Sequence, residues 1–490
     1  MPSHFSSSRH RRVIGLVGSI IFAISMIWRL SPAIVATAAS LTVNATTGTV
    51  NPGDPCPNPR NSAIYKTIQK AVDCAIAGDT ITVAAGTFNE NVLVSKSLSL
   101  LGANAGVDAR NPRGTESIVN GGGVSAPIGI GASSAIVDGF RFLGGQNGLG
   151  AGVWIGGGVT DTQVLNNVIT DNTIGLAIIS ACPCLVRHNL FTANNRSGAA
   201  GGKALYVETT NGLVFDGNTI TGHTRDIPVV FASTPPTSLH YNVTFTGNAV
   251  YGNTYNGAYF LSVNGGTIAA NNFVGNGLFF EGGNHNINVT TNNFSYGNPA
   301  VAIDLRVDGN PYGTNSSINV NFNRFIANSP YAIHLVGNYV GTLNAENNWW
   351  GCNYGPGATG PGCAAAANGN SGASIDANPW LILRIFTSRP SVAQNGGKVA
   401  VSADLRGTSA GTDTTGLGQV PDSIQAVFTG TLGVLTPTQA GTVAGRALSA
   451  FTAGPTLGTA MITTTVDSQR VSLPLTITPN YMYLPVILRE

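Results

Sequence analysis

The residues best able to do chemistry lie in two matching segments, Ala302-Ile303-Asp304-Leu305 and Ala332-Ile333-His334-Leu335, with Phe279-Phe280-Glu281 upstream of both. If these are successive turns of a repeat, and Phe279-Phe280-Glu281 is set against Ala302-Ile303-Asp304, then Glu281, Asp304 and His334 form one outward column about 4.8 Å apart. Arg306 and Asp308 follow two and four residues beyond Asp304 on the same strand face. Close carboxylates raise each other's proton affinity and a guanidinium lowers it, which separates an acid from a base as glycosidic cleavage requires. In a lyase the division changes: Arg306 or His334 would act on the C5 proton or the uronate charge, while Asp304 and Asp308 would hold calcium. No other cofactor is expected. The same column also reads as a solvated ladder of ion pairs with no catalytic role.

A second set of residues could bind without cleaving. Alternation turns Leu205 and Val207 inward and Tyr206 and Glu208 outward, and register with later turns brings Tyr259 and Phe279 outward too. Exposed aromatic rings offer flat apolar area on which sugar faces stack. Scattered surface aromatics lying under loops are the plainer alternative.

Either set needs a scaffold that stacks short strands in register. Between Gln163 and Gly351 an Asn followed by an apolar residue keeps returning, at Asn167, Asn189, Asn218, Asn248, Asn271, Asn292, Asn323 and Asn348. The steps of about 21 to 31 residues lie in the solenoid range. Short alternating runs such as Leu213-Val214-Phe215 and Ile318-Asn319-Val320 sit between them with no helical periodicity. A chain coiling as a superhelix can pair each strand with the next coil without helical crossovers, which makes this a parallel β-helix. The Asn residues tolerate left-handed backbone at the corners and bond from coil to coil, so the ladder is read as structural. The expected helix, Tyr65 to Ala77, has Ile64, Ile68, Val72, Ala75 and Ile76 on one face and would cap the open first coil.

The remaining features bound compartment and partners. Arg9, Arg11 and Arg12 precede an apolar run from Val13 to Trp28, with small residues at Ala36-Thr37-Ala38, so residues 1–38 are expected to be a cleaved secretory signal. Residues 39–63 would lead in to the repeat. Only 9% of the chain is charged and the net charge is +2, with no basic block after the signal, which excludes a phosphate-backbone partner such as nucleic acid. A membrane would be met only through an uncleaved signal. Six cysteines in an exported chain suggest staples, Cys56 with Cys74 and Cys352 with Cys363. For Cys182-Pro183-Cys184, free thiols, a strained bridge and another pairing all stay open.

The run Tyr65-Lys66-Thr67-Ile68-Gln69-Lys70-Ala71-Val72, then Gly78-Asp79-Thr80-Ile81-Thr82-Val83, then Gly86-Thr87-Phe88-Asn89-Glu90-Asn91-Val92 resembles the opening of pectin-lyase-like right-handed β-helix proteins. With the Asn-rich coils the resemblance extends from about Tyr65 to Trp380. It implies a fold and not a reaction, since the family holds lyases, esterases, galacturonases, epimerases and proteins without catalysis. The galacturonase and pectinesterase signatures are missing; Val137-Asp138-Gly139-Phe140 is only superficially like the latter and reads as a coil strand.

A Gly, Ala and Pro-rich linker with a closing strand at Pro379-Trp380-Leu381 is expected over 355–380, after a β-helix of 64–354. From 381 to 479 spaced strands suggest a small antiparallel β-sandwich, and Val427-Phe428-Thr429-Gly430-Thr431-Leu432-Gly433 with Gly458-Thr459-Ala460-Met461-Ile462 resembles invasin-type bacterial immunoglobulin-like repeats. Residues 480–490 form a tail, as a last strand or as a sorting tag. The expected fold class is thus all-β: a right-handed parallel β-helix with an N-terminal helical cap, then the sandwich. Two functions follow. One is a secreted or cell-surface protein binding polysaccharide without catalysis; the other is a polysaccharide lyase or glycoside hydrolase.

Overall fold

The computed structural model describes residues 37–146, 150–198, 200–232, 239–295, 301–306, 313–328, 331–337, 339–357, 363–368 and 372–480. The expected signal falls almost wholly outside the described residues, as do Asp308 and the tail from 481 on. From Ala38 onward the chain forms one compact unit.

The solenoid is a right-handed parallel β-helix with three faces. Each coil sends one strand to a first face running from Val92–Val94 to Ala366–Asn368, one to a second running from Ser40–Val43 to Ala373–Asp376, and one to a third of ten strands from Gly86–Phe88 to Arg324–Ile326. All three series pair in parallel, as in Ile174↔Lys203 through Ala181↔Thr210 on the first. Inward positions are apolar and stack on their equivalents one coil away. Phe215 lies 5.4 Å from Phe245, Phe273 5.0 Å from Phe294, and Phe294 5.3 Å from Phe325, all nearly parallel. Such pairs add about 0.5–1.5 kcal/mol each beyond their burial.

Buried amides hold the corners. Asn271 is representative: its Oδ1 accepts from the backbone N–H of Asn248 (2.8 Å) and from Asn248 Nδ2 (2.9 Å), while its own Nδ2 donates to Phe245 O (2.8 Å) and Asn292 Oδ1 (2.9 Å). The pattern runs from Asn167 to Asn348, so the ladder is structural, as its spacing suggested. A second ladder that the sequence did not announce joins Asn172, Asn194, His223, Asn253 and Asn276 at another corner.

The cap is shorter than expected. The helix covers Ile68–Cys74, because Tyr65 is taken into the strand Ile64–Tyr65, where it pairs with Val43. Thr67 caps the helix through Oγ1, and the Glu90 carboxylate accepts from the N–H groups of Ile68 (2.9 Å) and Gln69 (3.0 Å). Burial raises the pKa of Glu90 against those bonds. Ile68, Ala71 and Val72 close the core of the first coil. Cys56–Cys74, Cys182–Cys184 and Cys352–Cys363 are all disulfides, which decides the open question at Cys182.

The last coils end in Ala366–Asn368 and Ala373–Asp376, whereas Leu381 opens the sandwich strand Leu381–Thr387, which pairs antiparallel with Lys398–Thr408. One sandwich sheet has four strands and the other five; in the second, Ser391–Ala393 pairs parallel with Gln469–Thr478. The sandwich is seated directly on the solenoid. Trp349 and Phe322 of the coils enter its core, Arg324 pairs with Asp467, and Trp349 Nε1 donates to the same carboxylate at 2.7 Å.

Candidate functional site

The first face carries the candidate chemistry, and register decides which side chains meet. Pairing runs Gly129↔Trp154↔Ala177↔Tyr206↔Val230↔Tyr259↔Phe279↔Asp304↔His334, one residue per coil, on the outward side of the sheet. Tyr206, Tyr259 and Phe279 therefore share one column, with Leu205 and Val207 buried behind Tyr206. Tyr206 and Tyr259 are partly exposed, and Phe279, 7% exposed, packs edge-on against Tyr259 at 5.3 Å. Burial, then the neighbouring Glu208 carboxylate, push the Tyr206 hydroxyl above its usual pKa.

Trp154 belongs to this column and was missed in the sequence. Its indole lies against Gly156, where a Cβ would come within 2.8 Å of the ring, and it packs with Tyr206 around Ala177. Glycine at 129 and 156 leaves room for the ring to lie along the sheet. The usable signal was Val153-Trp154-Ile155, with two buried neighbours forcing Trp154 outward.

At the C-terminal end of the column, Asp304 and His334 occupy adjacent coils and His334 Nδ1 lies 3.2 Å from Asp304 Oδ1. Their side chains are 10% and 28% exposed, and Tyr331 stacks on the imidazole at 5.2 Å. With Nδ1–H donated to the carboxylate, Nε2 is the acceptor left to act on a ligand, the arrangement of an oriented general base.

Glu281 does not stand in this rung. Phe279 pairs with Asp304 and Phe280 with Leu305, so Glu281 falls level with Arg306, two residues from the expected position. The core sets this register: inward Leu278 lies opposite Ile303 and inward Phe280 opposite Leu305, all four wholly buried. The Glu281 carboxylate instead accepts from the Tyr259 hydroxyl. Arg306 ends the strand Ile303–Arg306 opposite Val336. Asp308, the second expected calcium ligand, lies outside the described residues. Among the described residues no group of three or more His, Cys, Asp or Glu side chains is placed to hold a metal ion.

No protein-family model and no curated protein matches the sequence. Among solved structures, the chain is similar to the Dettilon tailspike protein (11% identity, 79% of this chain and 91% of that one, TM-score 0.43). It is also similar to the A-module of the Azotobacter vinelandii mannuronan C-5 epimerase AlgE4 (17%, 64% and 94%, 0.42). A third is DFA-IIIase from Arthrobacter chlorophenolicus A6 in complex with GF2 (14%, 63% and 83%, 0.41). Similarity of this degree assigns no activity, and the β-helix rests on its own strand register.

Proposed function

We propose that this is an exported protein that binds polysaccharide along the first face of its β-helix. The observation that carries the reading is the single outward column Trp154, Tyr206, Tyr259 and Phe279. Trp154, Tyr206 and Tyr259 recur every second coil, about 9.6 Å apart at the spacing of stacked strands. A rigid row of rings at regular intervals suits an extended sugar chain, whose apolar faces stack on aromatic area without ordering a loop. Three disulfides and a surface with few charges support an extracellular setting.

Retardation in gels containing neutral and acidic polysaccharides tests the reading. Trp154→Ala, and Tyr206→Ala combined with Tyr259→Ala, should each weaken retention about tenfold, as loss of an aromatic anchor does. Retention unchanged in both variants defeats the platform.

One observation favours catalysis on the same bound chain as a second reading: the Asp304–His334 hydrogen bond at the end of the column. If the chain releases reducing ends or unsaturated sugars from any glycan, Asp304→Asn and Arg306→Ala should each remove most of that activity while leaving the melting temperature nearly unchanged. Activity persisting in both places the site elsewhere.

A further inference from the structure

Away from the first face, a cleft of about 620 Å³ separates the third face of the solenoid from the sandwich. We propose that it is a binding site for a neutral oligosaccharide, distinct from the aromatic column.

The two walls offer opposite halves of a hydrogen-bonding site. On the solenoid wall, Arg324 Nη1 donates to Asn293 Oδ1 (2.5 Å) and Asn293 Nδ2 donates to Asn272 Oδ1 (2.6 Å). These are successive coils in register, so the bonds run in one direction and end at the exposed Asn272. With its oxygen occupied, Asn272 presents its amide N–H groups, which have no partner among the described residues, to the cleft.

The sandwich wall supplies the acceptor. Asp422 Oδ1 accepts from the Ala444 N–H (2.9 Å) and from Gln419 Nε2 (3.2 Å), which leaves Oδ2 without a partner among the described residues. The lining also includes apolar carbon from Pro421 and from the edge of the largely buried Ile424. A sugar hydroxyl can accept from an amide and donate to a carboxylate at once, while a pyranose C–H face rests on apolar carbon, so this combination suits a polyol.

Charge selects among polyols. Arg324 is already neutralised by Asp467, whose side chain is 4% exposed, so the cleft offers no cation to a uronate. The Asp422 carboxylate would repel one. The walls are also locked before any ligand arrives: Thr291 Oγ1 donates to Gln419 O across the junction at 3.1 Å, and the Phe322 ring fills the space beside Gly418 so closely that a Cβ there would approach it to 2.4 Å. A preformed cleft binds without ordering cost.

The test is calorimetric titration of the full chain with cello-, malto-, xylo- and mannohexaose and with a galacturonate oligomer of equal length. At least one neutral probe should bind and the galacturonate should not compete for that site. Asp422→Asn keeps an oxygen for Ala444 and Gln419, and should weaken the neutral probe about tenfold or more. Asn272→Ala, at an exposed position, should weaken it by several-fold, in the wild-type chain and in a Trp154→Ala background alike. Binding of none of the neutral probes overturns the proposal, as does equal affinity in both cleft variants. A loss in Trp154→Ala alone would assign the binding to the aromatic column, so the two readings fail separately.

Discussion

Replacing His223 by Asn should remove part of the acid sensitivity of the fold, and the size of the effect follows from where the imidazole sits. His223 is wholly buried and takes the place of an Asn in the second ladder: Asn194 Nδ2 lies 3.3 Å from its Nε2 and Asn253 Oδ1 lies 3.2 Å from its Nδ1. The neutral ring satisfies both, with Nδ1–H donating and Nε2 accepting. A second proton on Nε2 would face another donor in the absence of water. Burial accordingly lowers the pKa from 6.5 to about 4, against the raising influence of the Asn253 bond. The sign is that of a histidine kept neutral: between about 4 and 6.5 the unfolded chain binds more protons than the folded one, so stability is complete above that window and falls as the pH drops through it. At about 1.4 kcal/mol per pKa unit, His223 costs the fold about 2 kcal/mol at pH 5 and about 3 kcal/mol at pH 4, relative to pH 7. His240, also held to about 4 by burial, adds a similar amount in wild type and variant alike. Urea denaturation at pH 7, 6, 5 and 4 should therefore show the wild-type chain losing about 2 kcal/mol more than His223→Asn by pH 5. Any constant difference at pH 7 reports repacking around the smaller side chain and cancels. Parallel pH profiles for the two chains would refute the assignment of a neutral ladder histidine.

Two further outcomes test the scaffold. Asn271→Ala deletes four hydrogen bonds inside the solenoid and takes the side-chain acceptor from the Asn248 N–H, so urea denaturation at pH 7 should show a loss of roughly 3 kcal/mol or more. Asp467→Ala strands both Arg324 and the fully buried Trp349 indole at the junction; it should cost about 3 kcal/mol, and calorimetry should resolve separate sandwich and solenoid transitions where the parent chain shows them joined.

The fold was legible because the ladder that holds it is written in one residue type at solenoid spacing, with inward aromatics one coil apart. The helix boundary was set too early because Ile64 continues the apolar spacing of Ile68 and Val72, and only the pairing of Ile64 with Thr42 and of Tyr65 with Val43 puts them in a strand. The second ladder was hidden for a related reason. Asn172, Asn194, Asn253 and Asn276 stand outside the repeating phrase, and one rung is a histidine, so a search by residue type passes over a position defined by its hydrogen bonds.

The candidate site was less legible because its geometry depends on register between coils of unequal length. Glu281 and Asp304 are both outward acidic residues near the ends of short strands, so alternation alone permits them to be neighbours. The packing between these two coils opposes it, since buried Leu278 and Phe280 meet buried Ile303 and Leu305, and a shift by two residues would keep every side chain on its own face yet take Phe280 off Leu305. Alternation therefore reads which face a residue occupies, and the packing of buried side chains between coils decides which residue of the next coil it meets. The same reasoning explains why the aromatic column was found in part: Tyr206, Tyr259 and Phe279 share a face by alternation. Trp154 joins them only through the chain of pairings from Ala177 back to Gly129, two positions whose small side chains leave no pattern of their own but give the indole its place.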